Sequence, residues 1–111
     1  LADVYLMKAE ALVRSNGDNA EATRLLNEVR KRGFDDSSKL KTSVTLDDVY
    51  QERRFEFAWE LYTRQDQIRF GKFLDVIPGW KEYVSDAKYL IFPIPAAAIE
   101  ANPGLTQNPG Y

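Results

Sequence analysis

The first 32 residues carry apolar side chains at the spacing of two amphipathic helices. Positions 1–15 contain no Pro or Gly and are rich in Ala, Leu, Met and Glu, which favour helix formation. Asn16 and Gly17 tolerate the left-handed conformation that often ends a helix, and Asp18 is a suitable N-cap for a second helix over 19–32. The apolar stripe of that helix is Ala22, Leu25, Leu26 and Val29. So short a connection predicts an antiparallel helical hairpin.

A third helix is predicted over 46–63, and a fourth follows it through Phe70. Thr45 and Asp48 have the spacing of a capping box at the start of the third helix. One face of this helix is apolar and comprises Phe55, Ala58, Trp59 and Tyr62. Because these positions repeat with the helical period, we expect Trp59 to lie in the core. Charged residues occupy a second stripe, which with two later charges predicts a partly buried structural ion network of Arg53, Glu56, Glu60, Arg64, Asp66 and Arg69.

The character of the chain changes after Gly71. The stretch 77–80 reads Ile-Pro-Gly-Trp and predicts a turn, and 89–95 is apolar but interrupted by Pro, which favours an extended segment over a central strand. A short helical turn is predicted over 96–101, before two Asn-Pro-Gly turns. The apolar residues of the tail indicate that it is held in place. The predicted fold class is therefore all-α, with tetratricopeptide-like antiparallel hairpins and an irregular C-terminal tail.

The composition narrows the possible functions. A chain of 111 residues has room for one domain, and its net charge of −2 gives no field that would attract nucleic acid. The chain has no Cys and no His. Catalytic triads and most catalytic zinc sites are therefore impossible within it. We predict no catalytic residue, no metal site and no cofactor.

Acidic residues near the third helix allow one enzymatic interpretation. Glu52, Glu56 and Glu60 with Asp66 could supply the two carboxylates of a glycosidase. Alternating Arg and Glu on one helix face is far more often structural. We expect Arg53 to pair with Glu56, and Glu60 to pair with Arg64, at the spacings that stabilise helices. The structural interpretation is preferred.

Two aromatic residues are weak candidates for ligand binding. Trp80 and Tyr83 follow the Pro-Gly turn, where their rings could stack on sugars. The alternative, which we favour, is that they cover the edge of the helices. The neighbouring Lys81, Glu82 and Asp86 are expected to be solvated.

Three stretches of the sequence together resemble the C-terminal part of the SusD/RagB family. Residues 1–12 read LADVYLMKAEAL and are similar to the family pattern LAEVYLMYAEAL. Residues 52–73 read ERRFEFAWELYTRQDQIRFGKF and are similar to ERRxEFAxEGxRxxDLIRFGKF. The stretches 92–95, FPIP, and 102–111, NPGLTQNPGY, resemble the close of these proteins. The resemblance covers nearly the whole chain.

The resemblance implies a function at the bacterial cell surface. Members are lipid-anchored on the outer face of the outer membrane, bind glycan or in some cases peptide, and deliver it to a SusC-like TonB-dependent transporter. This region would be scaffold and partner surface, and 1–111 would be the C-terminal domain of a longer protein, because the chain opens inside a helix. No family ligand-binding position can be carried over to these residues.

The chain departs from the family pattern at the junction of the third and fourth helices. The family usually has Gly at the position of Leu61, a basic or bulky residue at Thr63 and Leu at Gln67, so the family pattern does not predict the turn there. A second functional hypothesis is a free-standing tetratricopeptide-type adaptor that binds peptides. Such adaptors normally show at least three repeats, whereas one clear hairpin is evident here.

Overall fold

The computed structural model describes residues 1–34 and 36–111, and these residues form helices joined by turns. The α-helices are α1 (Ala2–Arg14), α2 (Asn19–Arg30), α3 (Leu46–Glu56), α4 (Thr63–Arg69) and α5 (Ala96–Ala101). Two short 3₁₀ helices occur at Ser37–Lys39 and Ala87–Leu90. In the described residues the only β pairing is an isolated antiparallel bridge between Ile77 and Lys81. The predicted all-α class is confirmed.

The chain divides into two compact units, Leu1–Asp66 and Gln67–Tyr111. The first unit contains the hydrophobic core, in which α1 and α2 form the predicted hairpin and α3 packs on both. The core comprises Leu6, Ala9, Ala22, Leu25, Leu26, Val29, Val44, Val49 and Phe57. In the described part of the chain, no helix is both long enough and apolar enough to cross a bilayer.

Local signals place the helix starts correctly. The Asp18 side chain accepts a hydrogen bond from the Glu21 amide, and Thr45 forms the predicted capping box with Asp48. Asn16 adopts the left-handed conformation at φ 52°, so the turn after α1 uses Asn16 and not Gly17 in this role. The helix predicted over 19–32 ends earlier, at Arg30.

Polar side chains of α2 hold the loop that leads to α3. The side-chain amide of Asn27 donates to the Lys41 carbonyl at 2.8 Å and accepts from the Lys41 amide at 2.9 Å. Asn19 donates to the Val44 carbonyl at 2.7 Å, and Arg30 donates to the Lys39 carbonyl. These bonds satisfy loop backbone groups that would otherwise be costly to shield from water.

The predicted third helix is wrong beyond Glu56. The helix ends at Glu56, and residues 57–61 form a turn in which Trp59 and Leu61 have φ of 69° and 64°. Trp59 is therefore not a core residue, because its side chain is 100% exposed. The Phe57 ring takes the buried place and packs against Tyr62, with ring centroids 4.8 Å apart.

The second unit is ordered by polar contacts. The side-chain amide of Gln107 accepts from the Ile94 amide at 2.8 Å and donates to the Ile94 carbonyl at 2.9 Å. Asn108 donates to the Phe92 carbonyl, and the Tyr111 hydroxyl donates to the Ile91 carbonyl. The helix at 96–101 is as predicted, whereas the start of the expected extended segment is instead part of the 3₁₀ helix Ala87–Leu90.

The turn after α3 yields a first testable prediction. Replacing Leu61 with Gly should stabilise the chain by about 0.5–1 kcal/mol, because Gly adopts a positive φ without the clash of a Cβ atom. Little burial is lost, since the Leu61 side chain is 93% exposed. The measurement is urea unfolding followed by circular dichroism.

The matched control is Leu61→Ala, which removes the same exposed side chain but keeps the Cβ atom. It should leave stability nearly unchanged. An equal gain from Ala and Gly would show that backbone strain is not the cause.

Candidate functional site

Arg53, in α3, is one of the most completely buried charged residues that the structure describes. Its side chain is 3% exposed. Its Nε donates to Asp66 Oδ2 at 2.8 Å, and its Nη1 donates to Asp3 Oδ1 at 2.8 Å. The guanidinium carbon lies 5.0 Å from the centroid of the Phe57 ring. One side chain therefore connects α1, α3 and α4.

Burial lowers the pKa of Arg53, but the hydrogen bonds to Asp66 and Asp3 outweigh this effect and raise the pKa above its ordinary value. The guanidinium stays charged at every pH at which the protein is folded. Arg53 therefore holds its carboxylate partners and cannot act as a general acid or base.

The charged residues of α3 pair with other elements and not along their own helix. The sequence predicted a pair between Arg53 and Glu56, and this prediction is wrong. Glu56 instead binds Arg32, which lies beyond the end of α2. Glu52, which is buried, accepts from Arg30 at 2.6 Å. Glu60 lies in the turn after α3, so the helical spacing that predicted its pair with Arg64 does not exist.

The remaining members of the predicted network are less buried. Arg64 is intermediate in exposure and lies in α4. Arg69 is exposed and lies over the ring of Phe70 at 5.1 Å. The buried part of the network thus consists of Arg53 and Asp66, with Asp3 as a partner that the sequence interpretation missed.

The carboxylates considered for glycoside hydrolysis are held by arginines. Glu52 binds Arg30, Glu56 binds Arg32 and Asp66 binds Arg53. These pairs tie α3 to α2, to the residues just after α2 and to α4. Among the described residues, no group of three or more acidic side chains is placed to hold a metal ion.

The loop that carries Trp80 and Tyr83 is well defined. The Lys81 ammonium donates to the Leu74 carbonyl at 3.1 Å and to Ser85 Oγ at 2.9 Å. Glu82 accepts from the Gly79 amide at 2.5 Å. Lys81 and Glu82 are therefore structural and not simply solvated, and Asp86 likewise caps the helix Ala87–Leu90.

This loop presents both candidate aromatic rings to solvent. The Trp80 side chain is 87% exposed and the Tyr83 side chain is 67% exposed. Neither ring is buried, and the alternative that both rings cover the edge of the helices stays a prediction. Exposed aromatic rings on a fixed loop are suited to stacking on an apolar face of a ligand.

A cavity that the sequence did not predict lies between the end of α2 and α3. Its volume is about 540 Å³, and it is lined by Val29, Arg30, Arg32, Gly33, Phe34, Glu52, Phe55 and Glu56. The Arg30 guanidinium lies 4.9 Å from the centroid of the Phe34 ring. Apolar side chains and two ion pairs thus share one concave surface. No spacing signal could reveal it, because its residues come from separate segments.

Comparison with known proteins identifies the family. The SusD family matches residues 1–82 of the chain. The chain belongs to the SusD family. This confirms the family resemblance, and the match includes the first two of the three sequence stretches.

Curated relatives extend the similarity over the full chain. A protein named SusD-like protein P25 from Formosa agariphila is 35% identical across 100% of this chain. The starch-binding protein SusD of Bacteroides thetaiotaomicron is 36% identical, also across 100% of the chain. The chain spans 24% and 20% of these two proteins.

Solved structures support the fold of this SusD-family chain. Surface glycan-binding protein A from Bacteroides thetaiotaomicron is 32% identical over 97% of the chain, with a TM-score of 0.75. The protein of the same name from Bacteroides uniformis is 30% identical over 96%, with a TM-score of 0.76. The chain covers 23% and 26% of those structures.

The buried ion network yields a second prediction. Replacing Asp66 with Ala should destabilise the chain by about 3 kcal/mol, because a buried guanidinium loses one of its two carboxylates. Urea unfolding measures this change. As a control, Glu28→Ala removes the exposed pair with Lys31 and should cost less than about 1 kcal/mol.

Equal effects of the two substitutions would contradict a structural role for the Arg53–Asp66 pair. Asp66→Asn separates charge from shape. It keeps the size of the side chain, and it should still cost more than the Glu28 control.

Proposed function

We propose that this chain is the C-terminal region of a longer cell-surface glycan-binding protein. The protein is lipid-anchored to the outer membrane and passes its glycan to a SusC-like TonB-dependent transporter. Membership of the SusD family supports this proposal, as do the names of the starch-binding and surface glycan-binding relatives. The chain spans about a fifth to a quarter of those proteins, which is why the activity is assigned to the longer protein.

Within that protein, this region acts as scaffold and partner surface and has no catalytic role. The observation that supports this best is the use of its buried charges. Arg53 joins three helices through Asp3 and Asp66, and Glu52 joins α3 to α2 through Arg30. Side chains committed to such bonds fix helix positions and are not free to bind a substrate.

Glycan contact by this region alone is proposed to be weak. A sugar site needs several oriented polar groups around an aromatic platform. Trp80 and Tyr83 provide the aromatic rings, but Lys81 and Glu82 beside them are occupied by bonds within the loop. Binding of one ring to such a platform is worth about −4 kcal/mol at best, which corresponds to a Kd of about 1 mM.

Calorimetric titration with oligosaccharides tests the proposal. The 111-residue chain should bind no tighter than about 1 mM, whereas the longer protein should bind measurably tighter. Trp80→Ala should leave the affinity of the longer protein largely intact. Tyr83→Ala is the matched variant on the same loop.

Micromolar binding by the 111-residue chain that disappears in Trp80→Ala would contradict the scaffold assignment and make this loop a glycan site. Tight peptide binding by the 111-residue chain alone, with no glycan binding by the longer protein, would favour the adaptor hypothesis. Delivery to a transporter is tested separately, by co-purification of the longer protein with a TonB-dependent transporter encoded beside it.

A further inference from the structure

A seven-residue stretch at the end of α3 exposes three large apolar side chains. Phe55 is 71% exposed, Trp59 is 100% exposed and Leu61 is 93% exposed. We call these three residues the α3-end surface. Exposed apolar groups of this size, set close together in the chain, mark contact sites more often than isolated ones do.

The surroundings of Phe55 favour an apolar occupant. Phe55 also lines the cavity between α2 and α3. The four charged residues of that cavity form two ion pairs, Arg30 with Glu52 and Arg32 with Glu56. Their charges cancel, so the cavity offers little net field to attract a charged partner.

We infer that the α3-end surface is the docking surface for the polypeptide that precedes this region in the longer protein. The inference rests on the proposed function, in which such a polypeptide exists. The two curated relatives are four to five times as long as the part this chain matches, since it spans 24% and 20% of them. A large amount of chain is therefore present in such proteins to cover the surface.

The area of the surface favours an occupant in the same polypeptide over a second copy. An aromatic side chain can bury about 150–250 Å², so Phe55 and Trp59 together offer on the order of 400 Å², to which Leu61 adds a smaller area. A stable interface between separate molecules needs about 800 Å² from each partner. A covalently linked segment is under no such requirement, because linkage gives it a high effective concentration.

Hydroxyl-radical footprinting with peptide mass spectrometry tests the inference on unmodified protein. Trp59 and Trp80 are the two tryptophans of this chain and fall at separate places in its sequence. In the 111-residue chain both should oxidise at similar rates, because both are almost fully exposed. In the longer protein the oxidation rate of Trp59 should fall about fivefold or more, relative to a free dosimeter peptide, because water is excluded from a covered ring.

Each other outcome overturns the inference. Unchanged oxidation of Trp59 in the longer protein would show that nothing docks there. Protection that rises with the concentration of the 111-residue chain alone would identify a second copy as the occupant. Protection of the 111-residue chain by added maltoheptaose would identify a sugar as the occupant.

A pair of variants provides an independent measurement. Trp59→Ala should lower the Tm of the longer protein by several degrees, while it leaves the Tm of the 111-residue chain nearly unchanged. Trp80→Ala is the control, with the same chemical change on another loop. If the wild-type longer protein binds no glycan, the proposed function is wrong. If it binds glycan but its Trp59 is not protected from oxidation, only this inference is wrong.

Discussion

The fold of residues 1–66 depends on one buried guanidinium. Arg53 reaches carboxylates 50 residues before it and 13 residues after it, so three helices must meet at one point. In a continuous helix, a residue 13 positions further on lies about 20 Å away along the axis. The observed contact of 2.8 Å therefore requires the helix to break between Arg53 and Asp66. The turn after α3 follows from this ion pair.

The turn after α3 avoids an unpaired buried charge but places two bulky residues in a strained backbone conformation. A buried Arg without its carboxylates would be severely destabilising, so the break is favourable even though it places Trp59 and Leu61 at positive φ. Bulky residues in this conformation carry strain of about 1–2 kcal/mol each. The SusD pattern commonly has Gly at the position of Leu61, and the geometry explains that preference. This chain has the same turn but with Leu61 at that position, and the side chains of Trp59 and Leu61 are exposed to water.

The features predicted correctly from the sequence are those that depend on residues close together in the chain. The caps at Asp18 and Thr45, the α1–α2 hairpin and the helix at 96–101 depend on such local chemistry, and all are present. The third helix was extended too far because its apolar stripe has the helical period. That period cannot reveal that Arg53 binds Asp3 and Asp66, since partners 50 and 13 residues away leave no spacing signal. The cavity beside Phe55 was missed for the same reason.

The two units are stabilised by different means, and this difference bears on how the region is used. Residues 1–66 have a buried apolar core, whereas no residue of 67–111 is buried. The second unit is instead ordered by side-chain hydrogen bonds to its backbone, such as those of Gln107 to Ile94. A hydrogen bond contributes about 1 kcal/mol net, while ordering the backbone of a residue costs about 1–2 kcal/mol. Hydrogen bonds therefore add little net stability to this unit, and its exposed rings, among them Phe92 and Tyr111, leave apolar area unburied. A region built in this way suits a part of a larger protein better than an independent binding domain.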